Sequence, residues 1–73
     1  MQEQIKEVIL TVNPNIDVED PDLNIAEDLD SMDIIALISE LEDTFDIEIT
    51  MEEKNEDNFS SIEALAEMVE RLQ

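Results

Sequence analysis

The sequence contains no cysteine, no histidine and no glycine among its 73 residues. Without cysteine there is no disulfide framework and no thiol nucleophile, and without cysteine and histidine together there is no zinc site of the usual sulfur and nitrogen ligands. Without histidine the commonest general base is missing. Without glycine there is no glycine-rich loop to cradle a phosphate. These absences exclude several of the common classes of enzyme site.

Positive charge is also scarce, because 3 Lys and Arg stand against 22 Asp and Glu and give a formal net charge of −19. A surface this acidic repels the phosphates of nucleic acids and of anionic lipid head groups. We therefore expect no nucleic-acid ligand. A basic protein surface or a metal cation is the expected partner of such a chain.

The sequence also lacks long apolar runs. No stretch approaches the roughly 18 apolar residues that a membrane-spanning helix requires. The first residues, Met1-Gln2-Glu3, lack the basic start and apolar run of a secretory signal peptide. We therefore expect a cytoplasmic protein with no membrane span, and the length supports one small core.

Apolar residues at helical spacing predict a helix near each end of the chain. The first helix carries the stripe Ile5, Val8, Ile9 and Val12. Asn13-Pro14-Asn15 should end it. The last helix starts at Ser60-Ser61-Ile62-Glu63, where the Ser-x-x-Glu spacing is that of a capping box with Ser60 as the cap. Its apolar stripe continues through Ile62, Leu65, Ala66, Val69 and Leu72.

A third helix is predicted in the middle of the chain, from about Ser31 to Thr44 or Phe45, with Asp30 or Ser31 as its cap. At about 100° per residue, one side forms a core stripe of Ile34, Leu37, Ile38, Leu41 and Phe45. The other side carries Met32, Ile35, Ala36 and Ser39, bordered by Glu42 and Asp43. This side is either an ordinary surface with scattered apolar residues or a docking surface that attracts a basic partner.

The connections between the helices carry weaker signals. Residues 13–30 are acidic and contain both prolines, yet scattered apolar residues predict a long loop anchored to the core. Residues 52–59 have room for one short helical turn. Residues 16–19 and 45–50 alternate apolar and polar side chains, but a ribbon of two such short strands is marginal. We expect both stretches to be extended loop.

The residues around the start of the middle helix resemble the acyl carrier protein family. Asp30-Ser31-Met32 is similar to the family's Asp-Ser-Leu signature, in which Met often takes the third place. Residues 42–49 resemble the family's typical end of this helix, with acidic residues, then Phe-Asp, then an Ile-x-Ile exit. The resemblance covers essentially the whole chain.

The resemblance implies an all-α fold, a small four-helix bundle with three longer helices and one short helix, in a single carrier domain over residues 1–73. It implies that Ser31, flanked by Asp30 and Met32, carries 4′-phosphopantetheine derived from coenzyme A. The chain would be a carrier, not an enzyme, and a monomer. A phosphopantetheinyl transferase would modify it, and acyl-processing enzymes with basic patches would dock on the exposed residues Met32, Ile35, Ala36, Ser39, Glu42 and Asp43.

Some residues depart from the family's pattern. Asp28-Leu29 stands where Gly-x is common before the signature, and Thr50 stands where Pro is frequent. Ala36 is commonly acidic in fatty-acid carriers, and Ser39 is commonly a larger apolar residue. Fatty acid biosynthesis is the expected pathway. The alternative is a specialised carrier for polyketide, lipid-modification or aminoacyl chemistry of the D-alanyl or peptidyl type.

Two alternatives from other classes rest on the acidic residues. If Asp20 opened an EF-hand loop, oxygen-bearing residues would follow at its third, fifth and ninth positions, but Ile25 occupies the required glycine position. Ser31 stands where a glutamate should close the site, so we expect no specific metal site. An acidic inhibitor that mimics nucleic acid would need only the charge, and would not explain the apolar centre of the middle helix's outer side.

Overall fold

The computed structural model describes residues 1–73 and contains helices but no strand. Four α-helices follow one another along the chain: α1 (Gln2–Val12), α2 (Ile25–Asp28), α3 (Ser31–Phe45) and α4 (Ile62–Leu72), with a 3-10 helix at Met51–Glu53 between the last two. Residues 16–19 and 45–50 do not pair as strands. The predicted all-α fold, a small four-helix bundle with three longer helices and one short one, is confirmed.

The short helical turn for which residues 52–59 had room is present only as the 3-10 helix Met51–Glu53, and the short α-helix lies elsewhere. It is α2, within the segment expected to be loop throughout, whereas residues 52–59 contain only the end of the 3-10 helix and a series of turns. Two reciprocal bonds close α2: Asn24 Oδ1 accepts from the Glu27 N–H at 3.2 Å, and Asp28 Oδ2 accepts from the Asn24 N–H at 3.1 Å. Helical periodicity cannot reveal an element of one turn, which side-chain caps hold in place.

α4 begins one residue later than the capping box predicted. Ser61 is the cap, and its Oγ accepts from the Ala64 N–H at 3.0 Å. The Ser60 hydroxyl instead donates to the Asp57 carbonyl at 2.9 Å. The third residue after Ser61 is Ala64, whose side chain has no oxygen to accept a hydrogen bond from the N–H of the cap. In the predicted capping box, Glu63 would have accepted this bond from Ser60.

α1 packs against both α3 and α4, and the core lies between these three helices. The core contains no buried polar side chain. Its buried residues come from all four helices, from the short link between α2 and α3, and from the connection between α3 and α4: Ile5, Val8, Ile9, Ile25, Leu29, Leu37, Leu41, Ile49, Phe59, Leu65, Ala66, Met68 and Val69. The predicted stripes of the three long helices, and the anchoring of residues 13–30, are confirmed.

Both ends of α3 are closed by aspartate. At the start, Asp30 is the cap and its Oδ1 accepts from the Asp33 N–H at 2.8 Å, which decides between Asp30 and Ser31. At the end, Asp46 adopts a left-handed conformation with φ 54°, the only positive φ in the chain. Glycine commonly takes this position, and a chain without glycine places there a residue that tolerates it better than most.

None of the helices is both long and apolar enough to cross a membrane.

Candidate functional site

Ser31 is the first residue of α3 and is exposed to solvent. Asp30, not Ser31, caps the helix, and the Ser31 hydroxyl forms no hydrogen bond within the chain. The backbone N–H groups of Ser31 and Met32 likewise donate to no atom of the chain. The start of α3 therefore presents a free hydroxyl next to two free N–H donors at the positive end of a helix dipole.

The start of α3 is fixed against the end of α1. Asn13 Nδ2 donates to Asp33 Oδ2 at 3.2 Å, and the Asn13 N–H donates to the Ile9 carbonyl at 2.8 Å as the terminal bond of α1. The carboxylate of Asp33 is thus held by α1 while its N–H is held by Asp30. These bonds join the first turn of α3, which contains Ser31, to the end of α1.

A pocket of about 470 Å³ lies beside Ser31. It is formed by α2, by the first two turns of α3 and by the turn that contains residues 54–59. Its apolar lining is Ala26, Leu29, Ile34, Ile35, Ile38 and Phe59. Its polar lining is Ser31, Lys54, Asn55 and Glu56, all of which are exposed. The pocket is therefore an apolar space with polar residues at the solvent side.

The wall opposite α3 has its own supports. The Ala26 N–H donates to the Phe59 carbonyl at 2.9 Å and joins α2 to the turn. Asn58 Nδ2 donates to the Glu53 carbonyl at 2.8 Å, and Arg71 of α4 lies 2.6 Å and 2.9 Å from the two carboxylate oxygens of Glu53. None of these bonds involves α3. The pocket therefore lies between the start of α3, which is bonded to the end of α1, and the turn at residues 54–59, which is bonded to α2 and α4.

The outer side of α3 carries the other residues predicted for the site. Met32 and Ile35 are 76% and 68% exposed, and Ala36, Ser39 and Asp43 are exposed as well. Glu42 differs from them, since it is half-buried and its Oε2 accepts from the Ile49 N–H at 2.9 Å. The carboxylate of Glu42 thus holds the loop that follows α3. Ile35 belongs both to this outer side and to the pocket.

The three cationic side chains lie in different surroundings. Lys6 pairs with Glu19 at 3.0 Å, and this hydrogen bond raises the pKa of Lys6 above its ordinary value of 10.5, with partial desolvation opposing it. Arg71 pairs with Glu53, as described above. Lys54 forms neither an ion pair nor a side-chain hydrogen bond, and it lines the pocket together with Ser31.

The acidic residues do not converge on a centre, since no group of three or more of them is arranged to hold a metal ion. In the segment that resembled an EF-hand loop, Ile25 is buried at the start of α2 and the Asp28 carboxylate accepts from the Asn24 N–H.

Sequence reasoning missed the wall of the pocket opposite α3. Lys54, Asn55, Glu56 and Phe59 line it, and nothing in their local spacing connects them with Ser31, more than 20 residues earlier. One signal was present: Phe59 is one of only two aromatic residues and stands in a polar segment. An isolated aromatic residue of this kind indicates an anchor to the core.

Comparison with known proteins gives one match. A family model described as the phosphopantetheine attachment site matches residues 3–69. No curated protein and no solved structure matches the chain. The match includes residues of all four helices, and the free Ser31 hydroxyl beside an apolar pocket fits a covalently attached arm. The chain belongs to the phosphopantetheine attachment-site family of carrier domains, and 4′-phosphopantetheine is its covalent cofactor.

Proposed function

We propose that Ser31 is the residue that carries 4′-phosphopantetheine, and that the protein is an acyl carrier of fatty acid biosynthesis formed by a single domain over residues 1–73. The observation that carries the proposal is the exposed Ser31 hydroxyl, free of hydrogen bonds, at the start of α3 and at the pocket. When bound, the group supplies a thiol that holds acyl chains as thioesters. The carrier itself needs no catalytic side chain, in keeping with the lack of histidine and cysteine.

The surroundings of Ser31 suit an anionic ester on its oxygen. The free N–H groups of Ser31 and Met32 and the dipole of α3 favour negative charge there. Asp30 and Asp33 oppose it, but each of their carboxylates already accepts a hydrogen bond from the chain. The nearby negative charge is therefore partly compensated before the arm is attached.

The apolar lining of the pocket suits the first part of an aliphatic acyl chain. Its volume of about 470 Å³ falls within the range of roughly 300–1,000 Å³ that is typical of small-molecule sites. Each methylene group that enters it would contribute about 0.8 kcal/mol through the hydrophobic effect. An acylated protein in which the methyl signals of Ile34 and Ile38 keep their shifts would contradict this part of the proposal.

The outer side of α3 is the proposed docking surface, consisting of Met32, Ile35, Ala36, Ser39, Glu42 and Asp43. Flexible, exposed Met32 and neighbouring Ile35 supply apolar contacts that adapt to different partners. Asp43 and the free oxygen of Glu42 attract basic patches, so that enzymes associate quickly and dissociate again. We propose a phosphopantetheinyl transferase and acyl-processing enzymes as these partners, acting on a cytoplasmic monomer.

The test is modification by a phosphopantetheinyl transferase with coenzyme A, followed by mass spectrometry. Wild type should gain one phosphopantetheine group, and Ser31→Ala should gain none. Thr44→Ala is the matched control, because Thr44 is an exposed hydroxyl residue of the same helix that neither lines the pocket nor belongs to the docking surface. Equal modification of Ser31→Ala and wild type, or none in wild type while a known carrier is modified, would overturn the proposal.

A specialised carrier is the second candidate, and the small side chains of Ala36 and Ser39 on the docking surface favour it. A fatty-acid malonyl transferase and an aminoacyl-activating ligase, offered separately to the modified protein, distinguish the two pathways. Efficient loading by the malonyl transferase alone supports fatty acid biosynthesis. Loading by the ligase alone supports aminoacyl chemistry.

A further inference from the structure

Lys54 is the one lysine or arginine side chain without an ion pair, since Lys6 pairs with Glu19 and Arg71 pairs with Glu53. The chain contains 22 Asp and Glu, so carboxylates are abundant on its surface. An unpaired cation in such surroundings has a strong electrostatic preference for any further anion that comes within reach. The position of Lys54 on the pocket indicates which anion comes within its reach.

The backbone of Lys54 is held by the anchored turn. Its N–H donates to the Met51 carbonyl at 3.2 Å, and the next N–H, of Asn55, donates to the Glu53 carbonyl at 2.9 Å. Glu53 is in turn fixed by Arg71. The turn therefore presents Lys54 at a fixed place on the pocket, while its side chain is exposed and unbonded.

Ser31 lines the same pocket. Both residues border one pocket of about 470 Å³, and charges that are closer than the Debye length of about 8 Å at physiological ionic strength are not fully screened from each other. The acidic residues next to Ser31 in the sequence, Asp28, Asp30 and Asp33, and Glu56 on the pocket are all of the same sign as a phosphate. Lys54 is the only side chain of opposite sign on the pocket.

We propose that the Lys54 ammonium pairs with the phosphodiester that joins the arm to Ser31 Oγ, and so holds the first part of the arm over the pocket. This inference rests on the proposed function. A carboxylate on the cargo is a less suitable partner, because it moves with the far end of the arm, whereas the phosphodiester stays beside Ser31. Lys54 is thus a positioning residue for the arm.

The test compares unmodified and phosphopantetheine-bearing wild type by NMR between about pH 9 and 11.5, the range around the ordinary lysine value. The side-chain signal of Lys54 should titrate at a midpoint about half a unit to one unit higher in the modified protein, as expected for one partly solvated ion pair. Lys6 is the internal control and should not move. Mass spectrometry after the titration verifies that the group is still attached.

A second readout follows the phosphorus atom. The ³¹P signal should shift as Lys54 titrates in wild type and in Lys6→Arg, and should show no such step in Lys54→Arg or Lys54→Gln. Normal modification with an unchanged Lys54 midpoint would overturn the inference and leave the proposed function intact, as would a midpoint that rises only when the cargo itself bears a carboxylate. Failure to acquire the group would overturn both.

Discussion

Two sides of the core differ in how completely they are packed. On the closed side, around α1 and α4, the side chains of Ile5, Ile9, Leu65, Met68 and Val69 have no exposed surface. On the open side, between α3 and the turn at residues 54–59, Ile34 and Ile38 are only half-buried and line a pocket. α3 contributes to both, with Leu37 and Leu41 in the core and the isoleucines toward the pocket. One helix thus separates the residues that stabilise the fold from those that are free to contact cargo and partners.

The largest expected effect on stability comes from truncating a side chain on the buried face of α3. Leu41 has no exposed surface, so Leu41→Ala should lower the free energy of unfolding by about 2–5 kcal/mol. Met32→Ala, on the exposed side of the same helix, should change it by less than about 0.5 kcal/mol while weakening binding to the transferase. Urea unfolding measures the stability of both variants, and titration calorimetry with the transferase measures the binding.

Ile35→Ala is a second exposed variant for this comparison, and it should behave like Met32→Ala in urea. Since a total stability of about 5 kcal/mol is common for domains of this kind, Leu41→Ala leaves little folded protein. Loss of stability in Met32→Ala comparable to that in Leu41→Ala would show that the two sides of α3 are not separated as described.

The closed side could be predicted from the sequence far better than the open one. The stripes of α1, α3 and α4 follow from spacing alone, because each helix hides one face from water. The candidate residue Ser31 follows from the resemblance of Asp30-Ser31-Met32, not from spacing. The pocket could not be predicted, because it depends on the contact between α2 and Phe59, which are more than 30 residues apart in sequence.

Errors in the prediction also concern short-range chemistry. α2 is a single turn held by the Asn24 and Asp28 side chains, and no apolar period marks it. The choice of Ser60 over Ser61 as the cap of α4 failed because two adjacent serines are equally good caps, and the register of the helix decides which is used. A long apolar stripe therefore predicts a helix more reliably than a single capping residue predicts where the helix begins.

The junction between α3 and the loop that returns to the core allows a smaller test. Asp46 has φ 54° and places a negative charge at the negative end of the α3 dipole. Asp46→Gly should raise the free energy of unfolding by about 1 kcal/mol, since it relieves both the left-handed conformation and the charge. Asp46→Asn retains the side-chain shape and removes only the charge, so it should give about half of that gain.

Thermal unfolding measures both variants, with an expected rise in the melting temperature of about 4–8 °C for each kcal/mol in a domain this small. The comparison isolates the backbone contribution. If Asp46→Gly were less stable than Asp46→Asn, the freedom that glycine gains in the unfolded chain would exceed the relief of the left-handed conformation.

The smallest expected effect belongs to the ion pair that ties residues 13–24 to α1 on the closed side. The hydrogen bond to Glu19 raises the pKa of Lys6 above 10.5. Because the folded-state pKa is the higher one, the contribution of Lys6 to stability is complete below pH 10.5 and is lost as the pH rises through the folded-state pKa. The chain has no tyrosine and no cysteine, so neither type of side chain obscures the titration of Lys6 in this window.

Lys6→Arg keeps the charge and does not titrate in this range, so its urea midpoint should fall less between pH 10 and 12 than that of wild type. Since the pair is accessible to solvent, the difference between the two proteins should shrink in 1 M salt, where the Debye length is about 3 Å. Parallel curves for wild type and Lys6→Arg at low salt would mean that the closed side owes nothing measurable to this ion pair. Apolar packing would then be its main source of stability, which would make the contrast with the charged and half-open side around Ser31 sharper still.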